Sequence, residues 1–229
     1  MSFGLCSFDE SSFAEQLGED GKDAKTYLVT LSESFTDETG RLAAGMEVAV
    51  KTFKPTKSVN KIKKEVEYQT TCSKAQISPY VYGVNYETKY ITMQRLQSLP
   101  AKDYHGLSMP EPIQYMICAL MGRLDDVGIL HGDMNALNVM LDSNGRPYMI
   151  DFGFAKKITT AVRKKHGPHP NITVSLWGLA KGFKHHRVAV PILQQCLQQC
   201  KSGHSIAPYI EKGETLLASC TTKRKRKRK

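Results

Sequence analysis

Residues 131–155 read HGDMNALNVMLDSNGRPYMIDFGFA. The stretch divides into a loop, a hairpin and a second loop. Two short apolar runs, 139–141 and 148–150, flank Ser143-Asn144-Gly145. Asn-Gly is a strong tight-turn signal because both residues tolerate positive φ. Asp133 and Asn138 precede the hairpin, and Asp151 opens the loop that follows it. A hairpin this short returns the chain to its start, so the three side chains are expected at one mouth. Two carboxylates and an amide gathered there suit a hard cation with oxygen ligands. Magnesium shared with substrate phosphates is the natural occupant.

The rest of the composition narrows the class. The chain has 229 residues, enough for one domain or two small lobes with a buried core. No apolar run approaches the roughly 20 residues of a membrane span. The start, MSFGLCSFDESSF, lacks a basic region followed by an apolar core, so secretion is not expected. The six cysteines are scattered without the spacing of a disulfide framework. A reducing compartment, nuclear or cytoplasmic, is the expectation. The formal net charge is +10, and the last seven residues, Lys223, Arg224, Lys225, Arg226, Lys227, Arg228 and Lys229, supply seven of those charges. The basicity is therefore assigned to a tail, 221–229, expected to be disordered because alternating Lys and Arg bury nothing.

The 131–155 stretch resembles the catalytic core of protein kinases. HGDMNALNVM is similar to the H-R-D-L-x-x-x-N loop, and Asp151-Phe152-Gly153 to the DFG motif, at the family's spacing. The resemblance implies an α+β, bilobal kinase-like fold with a β-rich N-lobe, 17–96, and a reduced helical C-lobe, 97–220, after an N-terminal extension, 1–16. It implies ATP and Mg2+ as cofactors. Asp133 would take the proton of the acceptor hydroxyl, and Asn138 and Asp151 would hold the metal.

Other stretches fall into the same frame. Residues 17–29, LGEDGKDAKTYLV, lie where kinases keep a glycine-rich phosphate loop. Gly21 stays in register and Gly18 lies beside the first glycine position, while Ala24 replaces another. Residues 26–31 and 46–53 read as strands. Within the second, Val48-Ala49-Val50-Lys51 resembles V-A-I-K, which would set Lys51 on the α- and β-phosphates. Residues 58–73 read as a helix capped by Ser58, with Val59, Ile62 and Val66 at helical spacing. Its glutamate partner for Lys51 is assigned to Glu65, with Glu67 as runner-up. The lysines around this helix, Lys57 included, read mostly as a solvated face. Residues 80–86 and 90–93 suggest paired strands. By chain order Met93 takes the gatekeeper position, and Gln94 through Leu96 the adenine-binding hinge. Ile113, Met116, Ile117, Leu120 and Leu124 mark an amphipathic helix that ends near Asp125-Asp126.

Three departures shape the functional expectation. Gly132 replaces the arginine of HRD, as in vaccinia-related kinases and in aminoglycoside- and choline-type phosphotransferases. Asn135 stands where many kinases carry a lysine. The segment after DFG is short, holds no A-P-E, and leads into an apolar helix, 171–179, without its usual aspartate. Residues 188–197 read as one further helix. The trimming resembles RIO- and Bud32-type kinases and small kinases of large DNA viruses. Cys196-x3-Cys200-x3-His204 has the look of a partial zinc set, although buried helix cysteines give the same pattern.

The leading expectation is a kinase acting on serine or threonine of a protein substrate, with histones or other chromatin proteins as its class. The tail would serve as an anchor to DNA or the nucleosome, or as a signal for an import receptor. A small-molecule phosphotransferase is the alternative enzyme. A pseudokinase scaffold holding nucleic acid through the tail is the alternative without catalysis.

Overall fold

A computed structural model describes residues 15–17, 21, 23–37, 40–98 and 104–226. The chain divides into two compact units, Met1–Leu96 and Gln97–Lys229.

The first unit is built on an antiparallel five-stranded sheet. Its strands are β1 (Glu15–Gln16), β2 (Ala24–Thr30), β5 (Glu47–Phe53), β6 (Val81–Asn85) and β7 (Tyr90–Gln94), in the order β1-β2-β5-β7-β6. A separate ribbon pairs β3 (Phe35–Asp37) with β4 (Gly40–Leu42). Alternation along β5 sorts its side chains to two faces. Val48 and Val50 join Val29, Leu31 and Tyr90 in one cluster. Phe53 joins Ile62 and Val66 in the other. Ile62 and Val66 belong to α1 (Val59–Lys74), whose buried residues Ile62, Glu65, Val66, Gln69 and Cys72 repeat every three or four positions. The β1 strand lies inside the segment read from sequence as an extension, 1–16. Two residues paired at Glu15↔Leu28 and Gln16↔Tyr27 are too short to leave a periodic signal.

The second unit is mostly helical. Its helices are α2 (Glu111–Asp126), α3 (Thr160–His166), α4 (Leu176–His185), α5 (Pro191–Lys201) and α6 (Ala207–Arg226). A π-helical turn, Asn171–Ser175, runs directly into α4. Two short ladders complete the unit. In one, β10 (Val139–Leu141) lies between β8 (Gln97–Ser98) and β11 (Pro147–Met149). In the other, β9 (Ile129–Leu130) pairs with β12 (Lys156–Lys157). The core collects Ile117, Leu120, Leu124, Phe152, Leu176, Phe183, Leu193 and Leu217, each at most 1% exposed.

Two helices went unread in the sequence. The α3 helix is short, seven residues, with no buried side chain. The α6 helix is long and docks along α2. A Cβ on Gly213 would lie 2.1 Å from the Tyr115 carbonyl oxygen, and one on Gly122 would lie 3.1 Å from Ile210 Cδ1. Glycines thus let the two backbones approach. Arg123 Nε donates to Glu214 Oε1 at 2.7 Å, tying the pair together. The helix continues through Arg226, into the segment expected to be disordered. Lys and Arg propagate a helix well once its earlier turns are docked. Lys227, Arg228 and Lys229 lie outside the described residues, as does Gly18. Among the described residues, no helix is long and apolar enough to cross a membrane.

Candidate active site

In the first unit, Lys51 sits on the β5 face that looks toward α1. Its Nζ is 2.6 Å from Glu65 Oε1. Glu65 belongs to the buried stripe of α1 and is 1% exposed, whereas Glu67 points to solvent. Glu65 has a second partner. Lys57 Nζ lies 2.7 Å from Oε2 and is 4.6 Å from the centre of the Phe53 ring. Lys57 is 8% exposed, so it belongs to a buried triad and not to a solvated face. The carboxylate serves both ammoniums with both oxygens, which offsets much of the cost of desolvating three charges.

Gly21 sits in the β1–β2 turn, where an added Cβ would fall 2.7 Å from the Ala24 carbonyl oxygen. A glycine is needed there by the turn itself. Gln69 Nε2 in α1 donates to Met93 Sδ at 3.3 Å, and Met93 is 9% exposed. The Gln94 amide donates to the Tyr80 carbonyl at 2.8 Å. Leu96 is buried where the first unit ends.

In the second unit the hairpin closes as the spacing predicts. Val139↔Met149 and Leu141↔Pro147 are in register. The turn differs from the Asn-Gly expectation, since Gly145 has φ +76° while Asn144 does not take positive φ. The amide of Gly145 bonds the Asp142 carbonyl, and Asp142 Oδ1 accepts from the amides of Asn144 and Arg146. The loop is thus three residues with one left-handed glycine, held by an aspartate side chain.

This hairpin sets Asn138 and Asp151. Asn138 Nδ2 donates to the Asp133 carbonyl at 2.7 Å. The amide of Ile150 donates to the Asn138 carbonyl at 3.0 Å. Asp151 is held in the left-handed region at φ +63°, a costly conformation for a residue with a Cβ. The adjoining Phe152 is buried, its ring 4.9 Å from that of His131. His131 Nε2 lies 2.9 Å from the Ile150 carbonyl oxygen. Gly132 is required where it stands. Its φ is +83°, and a Cβ would be 2.3 Å from the Phe154 carbonyl oxygen. No arginine fits at that position. Asn135, at the lysine position, accepts from the Leu137 amide and caps the short 3-10 turn Ala136–Asn138.

Two residues outside the motifs hold this loop, and sequence reading passed over both. Asn171 is fully buried. Its Oδ1 accepts from the His131 amide at 3.2 Å and from Ser175 Oγ at 3.0 Å. Its Nδ2 donates to the Ile129 carbonyl and to Asp125 Oδ1, each at 2.8 Å. It stands where the apolar helix was expected to lack its aspartate, and its amide oxygen does the accepting. Asp125, at the end of α2, is 4% exposed. Burial pushes its carboxyl up to about 6, against the opposing pull of the Asn171 bonds.

Asn138 spends its amide nitrogen on the loop, so its side-chain oxygen is the atom suited to a cation. The Asp151 carboxylate, just past the other strand of the hairpin, is a second hard oxygen donor. Among the described residues, no group of three or more His, Cys, Asp or Glu is placed for a metal. The chemistry of an amide oxygen and a carboxylate suits a magnesium completed by phosphate and water oxygens. The cysteine pattern 196–200 is no zinc site. Cys196 is fully buried beside Cys118, whose thiol is raised well above its ordinary value by that contact and by burial.

Residues 56–167 match the family described as the ABC1 atypical kinase-like domain. The match is just under half of the chain. It runs from just before α1 through α3 and includes Glu65, Asp133, Asn138 and Asp151, while Lys51 lies outside it. No curated protein matches the chain. The fold is kinase-like, α+β, and the match supports a phosphotransferase-type domain.

Proposed function

We propose that the protein is an ATP- and magnesium-dependent phosphotransferase that phosphorylates serine or threonine in protein acceptors. The observation that supports this reading is the β10–β11 hairpin, with Asn138 bonded to the Asp133 carbonyl at its start and Asp151 following its end. Bound magnesium would neutralise phosphate charge. The Asp133 carboxylate would accept the hydroxyl proton as the acceptor oxygen bonds the γ-phosphorus and the bond to ADP breaks. Lys51, oriented by Glu65, would sit on the α- and β-phosphates, and Met93, Gln94 and Leu96 would border the adenine. The cationic end, Lys223 onward, would hold the enzyme near DNA or nucleosomes, or mark it for an import receptor, in the nucleus.

The test is transfer of radiolabelled γ-phosphate to a panel of proteins and small alcohols. Asp133→Ala should lower kcat by ~10²–10⁴ while ATP still binds. Asp151→Ala should abolish transfer and weaken magnesium-dependent ATP binding. Label on small alcohols alone would replace the protein acceptor with a metabolite. Magnesium-independent ATP binding with no transfer to any acceptor would overturn the reading.

A further inference from the structure

Beside the catalytic loop, the second unit carries an open groove of about 340 Å³. It is lined by loop residues 135–137 and by Gly178, Lys181, Gly182, His185 and His186 of α4. Glycines bring helix and loop together. A Cβ on Gly178 would lie 2.7 Å from the Met134 carbonyl oxygen, and one on Gly182 would lie 3.0 Å from the Ala136 amide nitrogen. The groove thus begins two residues after Asp133. At the loop, Leu137 is 69% exposed, and beside Gly178 on α4 the Trp177 ring is 49% exposed. The Lys181 ammonium lies 5.4 Å from the centre of that ring. Leu137 in the groove and Trp177 beside it on α4 therefore offer apolar surface to an occupant.

Charge identifies that occupant. Between residues 152 and 210 the sequence holds nine Lys and Arg and no Asp or Glu. Three of those cations, Lys181, Lys184 and Arg187, lie on or just past α4, and all are exposed. On the α4 side of the groove a basic occupant would be repelled and an acidic one attracted. The volume takes a few side chains and no more. The cations cluster on one helix, whereas a polynucleotide needs them along a track.

We propose that this groove docks an acidic segment of the acceptor protein, placing a carboxylate at Lys181 and an apolar side chain against Leu137 and Trp177. It thereby selects acceptors with glutamate or aspartate and leucine-like residues near the phosphorylated hydroxyl. Basic histone tails do not fit it. The inference rests on the phosphotransferase reading and deepens it.

Binding and transfer are measured separately. A labelled peptide with one serine flanked by glutamates and a leucine is titrated by fluorescence anisotropy into the full chain. A lysine-for-glutamate version and a single-stranded oligothymidine serve as competitors. The acidic peptide should bind and the lysine version should not compete. Lys181→Glu should weaken binding roughly fivefold, as expected for reversing one exposed charge, and Trp177→Ala should weaken it independently. In transfer assays the Lys181→Glu effect should appear in KM and not in kcat. Peptide binding that depends on Lys181 without any transfer would keep the groove and remove the phosphotransferase reading. Transfer that is equal for acidic and basic peptides and indifferent to Lys181 would overturn the groove and keep that reading. Displacement of the peptide by the oligonucleotide at lower concentration would assign the face to nucleic acid and overturn the proposal.

Discussion

Glu65 is the residue with the most at stake in the first unit. It is buried and answers two ammoniums, Lys51 and Lys57. Removing its charge takes that carboxylate from both cations, and losing one partner of a buried pair costs about 3–5 kcal/mol. Glu65→Gln should therefore lower stability by that order in urea titrations. Adding Lys57→Met should recover part of the loss by removing one of those charges. A double variant no more stable than the single one would show that the triad does not work this way. Asp125 makes a pH prediction. Its carboxyl is raised from an ordinary 3.8 to about 6 by burial. The folded state thus holds the proton more tightly than the unfolded chain does. That contribution is fully present below pH 3.8 and is lost as pH rises through about 6. It is worth roughly 3 kcal/mol. Asn at this position keeps an acceptor for Asn171 and cannot ionise. Asp125→Asn should gain stability relative to wild type between pH 4.5 and 7.5, and a difference that stays flat with pH would refute it. The Asn171 hydrogen bonds and the Arg163 guanidinium oppose that rise, and the Asp126 carboxylate adds to it.

Among the elements, the 131–155 segment and α6 behave in opposite ways. The hairpin was legible because its signals are local. Turn residues, apolar runs and motif spacing all lie within 25 residues, and β10 and β11 form within a residue of where they were expected. The α6 helix was missed because its apolar face is thin, and its fit comes from Gly213 against the α2 backbone, 98 positions away from Tyr115. The contact makes a prediction. Gly213→Val would push side-chain atoms into the Tyr115 carbonyl and cost about 1–3 kcal/mol as overpacking. Hydrogen exchange should then rise along α2 and α6 while the five-stranded sheet keeps its protection. Unchanged exchange in α2 would mean that α6 contributes little to the unit. Gly132→Ala makes the matching case for the loop. It should perturb the segment at Phe154 and lower transfer, with the circular dichroism of the helices retained.

Across the whole molecule, the charge is less evenly spread than the total implies. Residues 1–96 carry twelve Lys and Arg against thirteen Asp and Glu, and residues 97–229 carry twenty against nine. The second unit is therefore basic even without its last seven residues, which corrects the assignment of basicity to the tail alone. Deleting residues 223–229 should reduce the salt dependence of any DNA binding by several phosphate contacts, at a slope near −0.9 each. Binding of the acidic peptide should survive that deletion. The sequence alone determined what depends on neighbours along the chain: the kinase-like motifs, their order, the hairpin that joins them, and most strands and helices. Tertiary structure decided what depends on burial. It made Lys57 a partner of Glu65, gave Asn171 and Asp125 the task of holding the loop, and required glycine at 132. Hydrophobic periodicity reports which face of an element is apolar. It carries no information about which polar side chain on another element will be enclosed beside it, because that partner is fixed only when the elements meet.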